Sequence, residues 1–356
     1  MIKTNYKVVG VMSGTSLDGV DLVFATFYID NSSKWVFDII CCETVEYTSS
    51  WRLKLSNLIN NSITELKIID EEYTKYLANI INEFILKNNI KEVDAVCSHG
   101  HTALHQPDKN MTYQIGNKPE IASLLSQLVV CDFRAQDVAL GGQGAPLVPI
   151  GDKILFSDYD FCINLGGFAN VSFQDNGERI AYDICPVNIV LNYYVKPLGI
   201  NYDKEGLLAS KGNINQTLLN QLNELGFYAE NHPKSLGLEW VHKNIIPIIG
   251  SFQLEIKDIL RTCIEHIAIQ ICSEINIKKS ALVLLTGGGV YNKFLIERIK
   301  ALTHHRVVIP SKNTIEFKEA LIFGFLGVLK LRNEVNCLKS VTGALHNHSS
   351  GTIFYP

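Results

Sequence analysis

The chain has 356 residues, 47% hydrophobic and 19% charged, the make-up of a folded protein rather than a disordered one, and at roughly 100–200 residues per domain it points to two domains. Its 32 Lys and Arg against 36 Asp and Glu leave a net charge of −4 with no long basic run, which argues against a nucleic-acid partner. No apolar stretch approaches the roughly 18 residues that span a bilayer, and the polar start lacks a secretory h-region, so the expectation is a cytoplasmic protein with no membrane partner.

In chain order, Val8 to Met12 reads as an apolar strand, Ser13 to Gly19 as a turn rich in glycine and hydroxyls, and Leu22 to Tyr28 as a returning strand, with Trp35 to Val45 a third, antiparallel to it. Thr64 to Lys87 has apolar residues at helical spacing (Leu66, Ile69, Tyr73, Tyr76, Leu77, Ile80, Phe84). Val93 to Cys97 is a buried strand that delivers Ser98 to His101 at its end. The pattern then begins again: strand Phe161 to Leu165, turn Gly166-Gly167, strand Ala169 to Phe173, and a third at Ile180 to Tyr182. Helices are predicted over 186–194, 214–225 and 254–275, then a strand from Ala281 to Leu285 that runs into Thr286-Gly287-Gly288-Gly289. A helix over 292–302, a strand over 307–309 and a helix over 317–331 close the chain. The period from Gly14 to Gly166 is far too long for a solenoid and predicts a duplicated α/β domain.

Nine cysteines with no CxxC pair read as buried, reduced thiols that act as small hydrophobes, and the ten histidines form no zinc signature. Chemistry concentrates in the glycine clusters. The turn Gly14, Thr15, Ser16, Leu17, Asp18, Gly19 can form an anion-binding nest of N–H groups, with Asp18 free for a metal; it reads equally as an ordinary Asp-Gly hairpin. It is not a Walker loop, since no Gly-Lys-Ser/Thr follows. Gly166-Gly167 has the same two readings. Gly287, Gly288 and Gly289 lie between a strand and a helix, where α/β folds bind nucleotides. Asp183, read as following a strand and preceding Pro186, is either a helix-capping acid or a general base. Arg134 is a surface residue or a planar fork for a carboxylate or phosphate, and Glu319, read as opening the last helix, is a solvated first-turn acid on its own pattern.

The string Gly10-Val11-Met12-Ser13-Gly14-Thr15-Ser16-Leu17-Asp18-Gly19-Val20-Asp21 resembles the N-terminal signature of the anhydro-N-acetylmuramic acid kinases. So do, in order, Ser98-His99-Gly100; His105-Gln106-Pro107; Asp132-Phe133-Arg134; Gly141 to Pro149; Asn164 to Asn170; Pro233-Lys234-Ser235-Leu236-Gly237; Thr286 to Gly289; Glu319-Ala320; and Val341 to Ala344. The resemblance implies an α/β fold of two RNase-H-like lobes, as in actin-like ATPases, around an interdomain ATP cleft. The boundaries it suggests are 1–133, completed by 346–356, and 134–345. It implies ATP and Mg²⁺, a sugar substrate, and a homodimer by analogy. By the same resemblance Gly14 to Asp21, with Val20 among them, bind ATP alongside Gly166, Gly167 and Gly287 to Gly289. Asp183 draws a proton from the attacking water. Arg134, Glu319, His99 and Asn188 contact the sugar, and Asp18 and Asp183 serve the metal.

Three departures stand out. Where the family carries Asp-Thr-Gly-Pro-Gly-Asn, this chain has Asp183-Ile184-Cys185-Pro186-Val187-Asn188, and Cys185 and Val187 in place of glycines are expected to narrow or redirect the sugar pocket. His101 stands where the family has Gln. Met12 occupies the position of the wider superfamily's metal-site Asp, as it does across these kinases. A kinase for another anhydro or amino sugar, and a catalytically silent, nucleotide-gated binding protein for muramyl sugars, are the alternatives.

Overall fold

The structure is a computed structural model that describes residues 3–14 and 16–356. The first meander is β1 (Asn5–Ser13), β2 (Gly19–Ile29) and β3 (Trp35–Glu46), paired antiparallel in that order. β1 is apolar without alternation because both faces are covered; Val8 and Val9 are fully buried. Gly10 is dictated by close approach, since a Cβ there would meet the carbonyl oxygen of Ala320 at 2.1 Å. The helix α1 (Ile63–Lys87) starts on a capping box between Ser62 and Glu65 and buries Leu66, Tyr73, Leu77, Ile81 and Phe84. β4 (Ala95–Gln106) runs parallel to β1, β5 (Met111–Ile115) turns back on it, and β6 (Val129–Cys131) lies parallel on its far side; α2 (Ala135–Ala139) follows.

The second meander is β7 (Phe161–Leu165), β8 (Phe168–Asp175) and β9 (Glu178–Pro186). Then come α3 (Asn188–Val195), α4 (Ile256–Ile275), β10 (Leu282–Thr286), α5 (Lys293–Leu302), β11 (Arg306–Val308), α6 (Lys312–Leu331) and β12 (Thr352–Phe354). The sheets run β12-β6-β4-β1-β2-β3, with β5 beside β4, and β11-β10-β7-β8-β9. In each, the first strand of a meander sits centrally, its antiparallel partners on one side and parallel strands on the other. The fold is α/β with the same RNase-H-like order twice, as the repeat implied.

The chain divides into two compact units, residues 1–155 with 317–356, and 156–316. The boundaries expected at 133/134 and 345/346 differ from this. α2 and the segment to Leu155 belong to the first sheet: a Cβ on Gly151 would strike Ile322 of α6 at 2.6 Å, and Gly324 of α6 packs on Val8 and Phe27. Three element expectations also shift. β4 runs on past Cys97 to Gln106, so Ser98 to His101 lie inside a strand. β9 extends to Pro186, so Asp183 is a strand residue and neither follows a strand nor caps a helix. α6 begins at Lys312, which puts Glu319 two turns in. All nine cysteines are free, seven of them buried. No helix among the described residues is long and apolar enough to cross a membrane.

Candidate active site

In the first unit, the carboxyl ends of β1 and β6 and the part of β4 paired with them bring together the glycine turn, His99 and the segment Asp132 to Arg134, because Val11 pairs with Ser98 and Ser98 with Cys131. Within the turn, Gly14 has room around it: a Cβ would meet Ser16 Oγ at 3.5 Å and Ser16 N at 4.0 Å, and nothing nearer. Ser16 and Asp18 are exposed, and Leu17 adopts φ 61°. Thr15 lies outside the described residues. Gly19 serves the sheet, since the Val45 carbonyl of β3 would lie 2.4 Å from its Cβ; Val20 faces the core, and Asp21 accepts a hydrogen bond from Thr44 at 2.6 Å. Ser13, just before the turn, is buried and committed: its hydroxyl meets those of Tyr47 and Tyr73 and the Nδ1 of His101, the last at 2.7 Å. Burial pulls His101 down to about 4, so it is neutral.

Arg134 is a residue of this strand-end cluster. Its Nε donates to His99 Nε2 at 2.8 Å and its Nη1 to the Gly144 carbonyl at 2.6 Å. His99 Nδ1 lies 2.8 Å from the Gly100 carbonyl, which fixes the tautomer that leaves Nε2 as acceptor; burial, then the Arg134 charge, hold His99 well below the usual histidine range. Gly100 is required there: φ is +71° and a Cβ would meet the Ile115 carbonyl at 2.5 Å. Glu319 reaches solvent yet is surrounded by protein. Loss of water pushes its carboxyl up, Arg134 pulls the other way, and Asp21 adds to the rise. Asp132 is a candidate that sequence reasoning missed. It sits at φ 57°, and burial raises it to about 6 against the pull of the Ala135 N–H. Nothing in the string Asp-Phe-Arg signals that.

In the second unit, the ends of β7 and β10 bring the other two glycine clusters together. A Cβ on Gly287 (φ +82°) would lie 2.6 Å from Asn164 Oδ1, and one on Gly289 2.7 Å from Leu165 Cβ; Gly288 faces open space. The Gly166 and Gly167 carbonyls accept from the N–H groups of Asn188 (3.3 Å) and Val187 (2.8 Å), which closes the start of α3 on the protein. Asn188 is half-buried there. Nor is α5 open at its N-terminus, since a short 3₁₀ turn intervenes and Asn292 Oδ1 accepts from Leu295 N–H. At that helix end one N–H, that of Leu295, is therefore already taken by a side chain.

Asp183 is aimed by a bulge. Ala169 pairs with Cys185 but Asn170 with Asp183, so Ile184 is extra. The segment Lys234 to Leu236 cradles it: Asp183 N–H donates to the Lys234 carbonyl at 3.2 Å, and Leu236 N–H donates to Oδ2 at 2.8 Å. Desolvation raises the carboxyl, with the Leu236 N–H opposing. Cys185 and Val187 are fully buried in this unit's core and line no surface, which removes the ground for expecting them to narrow a pocket. Magnesium takes oxygen ligands, with one or two carboxylates and the rest from water and phosphate. In the first unit Asp18 offers an exposed carboxylate, and in the second the Oδ1 of Asp183 accepts no hydrogen bond from the described residues; each is an oxygen donor of that kind.

The family model described as anhydro-N-acetylmuramic acid kinase matches residues 6–356. Proteins of that name are similar along nearly the whole length: one from Mannheimia succiniciproducens is 34% identical over 99% of this chain and 100% of its own, and one from Sulfurimonas denitrificans 31% over 97% and 98%. Among solved structures, a ligand-bound xylulose kinase from Lactobacillus acidophilus is 11% identical with a TM-score of 0.46, over 98% of this chain and 94% of that one. The full-length family match and these identities place the chain in the anhydro-N-acetylmuramic acid kinase family.

Proposed function

We propose that the chain phosphorylates O6 of 1,6-anhydro-N-acetylmuramic acid from ATP while water opens the anhydro bond, giving N-acetylmuramic acid 6-phosphate in the recycling of cell-wall sugar. The observation that carries this reading is Asp183, a strand-held carboxylate with one oxygen tied to Leu236 N–H, the other uncommitted, and a proton affinity raised by desolvation. Water attacks C1 and gives its proton to Asp183. The C1–O6 bond breaks with its electron pair on O6, O6 attacks the γ-phosphorus, and ADP leaves. Asp18 would hold magnesium, and Asp183 would do so through water; the ion would supply neutralisation of phosphate charge in such transfers.

The remaining residues bind. Gly14, Ser16 and Asp18 offer space and polar groups to phosphate, and Gly287 to Gly289 an exposed backbone at Gly288. Arg134, oriented by His99 and Gly144, presents the rest of its fork to the substrate's lactyl carboxylate. Glu319 and Asn188 contact the sugar. Because Cys185 and Val187 sit in the core, the family's own sugar is favoured over an altered one. A homodimer in the cytoplasm belongs to the same proposal.

Incubation with ATP, Mg²⁺ and the anhydro sugar in ¹⁸O-labelled water tests it. The expected product carries phosphate on O6 and label at C1. Turnover of other sugars only, or sugar binding without turnover, overturns the reading.

A further inference from the structure

Away from the substrate-facing groups, Asp137 of α2, Cys337 and His348 bring a carboxylate oxygen, a sulfur and a ring nitrogen within 4.8 Å of one another, all three residues buried. Cys337 and His348 face each other across a short antiparallel bridge, each N–H on the other's carbonyl at 3.0 and 3.2 Å. His348 is only 5% exposed. Its Nδ1 lies 3.1 Å from the His346 carbonyl, which makes Nδ1 the protonated nitrogen and leaves a lone pair on Nε2. That Nε2 is buried without a hydrogen-bond partner and points at Asp137 Oδ1, 3.5 Å away, longer than the roughly 2.7–2.9 Å of a charge-assisted bond. Asp137 is held in place, Oδ1 by the Thr342 hydroxyl and Oδ2 by Gly144 N–H, both at 2.7 Å. A carboxylate and an unsatisfied imidazole lone pair therefore converge beside a buried thiol, each oriented by a second group, as metal ligands are.

We propose that Asp137, Cys337 and His348 form a zinc site. Tetrahedral bonds of about 2.0–2.3 Å need the ligand atoms roughly 3.3–3.6 Å apart, a small contraction of this cluster, with a fourth position for water. The thiolate and imidazole select zinc over magnesium. On binding, the thiol loses its proton to solvent, the ring nitrogen gives its lone pair to the ion and nothing is oxidised or reduced. The ion fastens the segment before β12 to α2, one helical turn from Arg134, and to the Gly144 loop.

The test uses the untagged full chain dialysed against zinc in excess Mg²⁺, with metal content measured, and the same chain loaded with Co²⁺ and examined in the near ultraviolet. We expect about one zinc per chain, one proton released, and a thiolate-to-cobalt charge-transfer band. Both metal and band are lost in Cys337→Ser and His348→Gln. A wild-type chain that retains no zinc overturns the proposal, as does equal retention by the two variants. Should the variants fail to fold, the wild-type cobalt spectrum decides alone: no thiolate band, no site.

Discussion

The two glycine turns follow equivalent strands in sheets of the same order, yet they are built for different work. The turn between β1 and β2 has space around Gly14 and exposed Ser16 and Asp18, so its polar groups are turned outward. The turn between β7 and β8 spends its carbonyls on the first N–H groups of α3, and its neighbours Gly287 and Gly289 are pressed onto Asn164 and Leu165. A repeated pattern of glycines thus marks one turn with open space around it and one that locks strands and helix together. On the proposed reading, the second unit's acid–base chemistry falls to Asp183, three residues before the end of β9, and Gly288 alone of Gly287 to Gly289 keeps an open backbone.

If that division holds, Asp183→Asn leaves the fold and nucleotide affinity nearly unchanged, because Asn Oδ1 still accepts from Leu236 N–H. Turnover should fall by about 10³-fold or more, the upper range for loss of a general base. Direct measurement of ATP affinity and product formation separates the effects; a parallel loss of both would make Asp183 a structural group and break the comparison. Substituting the glycines sharpens it next. Gly287→Ala puts a methyl into Asn164 at a positive φ and should cost about 2–3 kcal/mol, read as a lower denaturation midpoint. Gly14→Ala meets nothing closer than 3.5 Å and should leave that midpoint alone. It should raise KM for ATP roughly tenfold through one weakened charge-assisted hydrogen bond. Equal destabilisation by both would erase the distinction between the turns.

Arg134 tests the first unit's share of sugar recognition. Lysine cannot reproduce the contacts to His99 and Gly144 or the remaining fork, so Arg134→Lys should raise KM for the sugar about tenfold with little change in kcat. An anhydro sugar without the lactyl carboxylate should show no difference between the two proteins; a similar loss for both sugars would move Arg134 out of carboxylate binding.

Periodicity made the sheets legible wherever one strand carried one signal: β7 spans Phe161 to Leu165 as read, and α1 begins one residue early. Asp183 was misplaced because Asp-Ile-Cys-Pro looks like a strand running into a proline-started helix, whereas β9 continues through its bulge to Pro186. The end of β4 was missed for a similar reason. Ser98 to His101 read as standing at the strand's end, but Gly100 at positive φ lets the strand pass close to Ile115 and continue. The site residues came from motif resemblance; their partners did not. That His99 orients Arg134, or that Lys234 to Leu236 hold Asp183, depends on strand neighbours far apart in sequence. The cluster of Asp137, Cys337 and His348 was beyond reach for the same reason: two of its members are 11 residues apart and the third comes from α2.

Asp132 and Asp183 extend the comparison to acids, since loss of water raises both. For Asp132 the rise is from 3.8 to about 6. A carboxyl raised on folding contributes stability that is fully present below its unfolded value and is lost as pH climbs through the folded one, so the window lies between about pH 4 and 6. Asp132→Asn carries no charge at any pH and tolerates the left-handed backbone at φ 57°. The variant should therefore gain on wild type across that window, by about 3 kcal/mol above pH 6, and the two should converge below pH 4. Thermal midpoints from pH 3.5 to 7 measure this. A pH-independent difference would mean that Asp132 stays hydrated, and the buried acid would then be confined to the second unit.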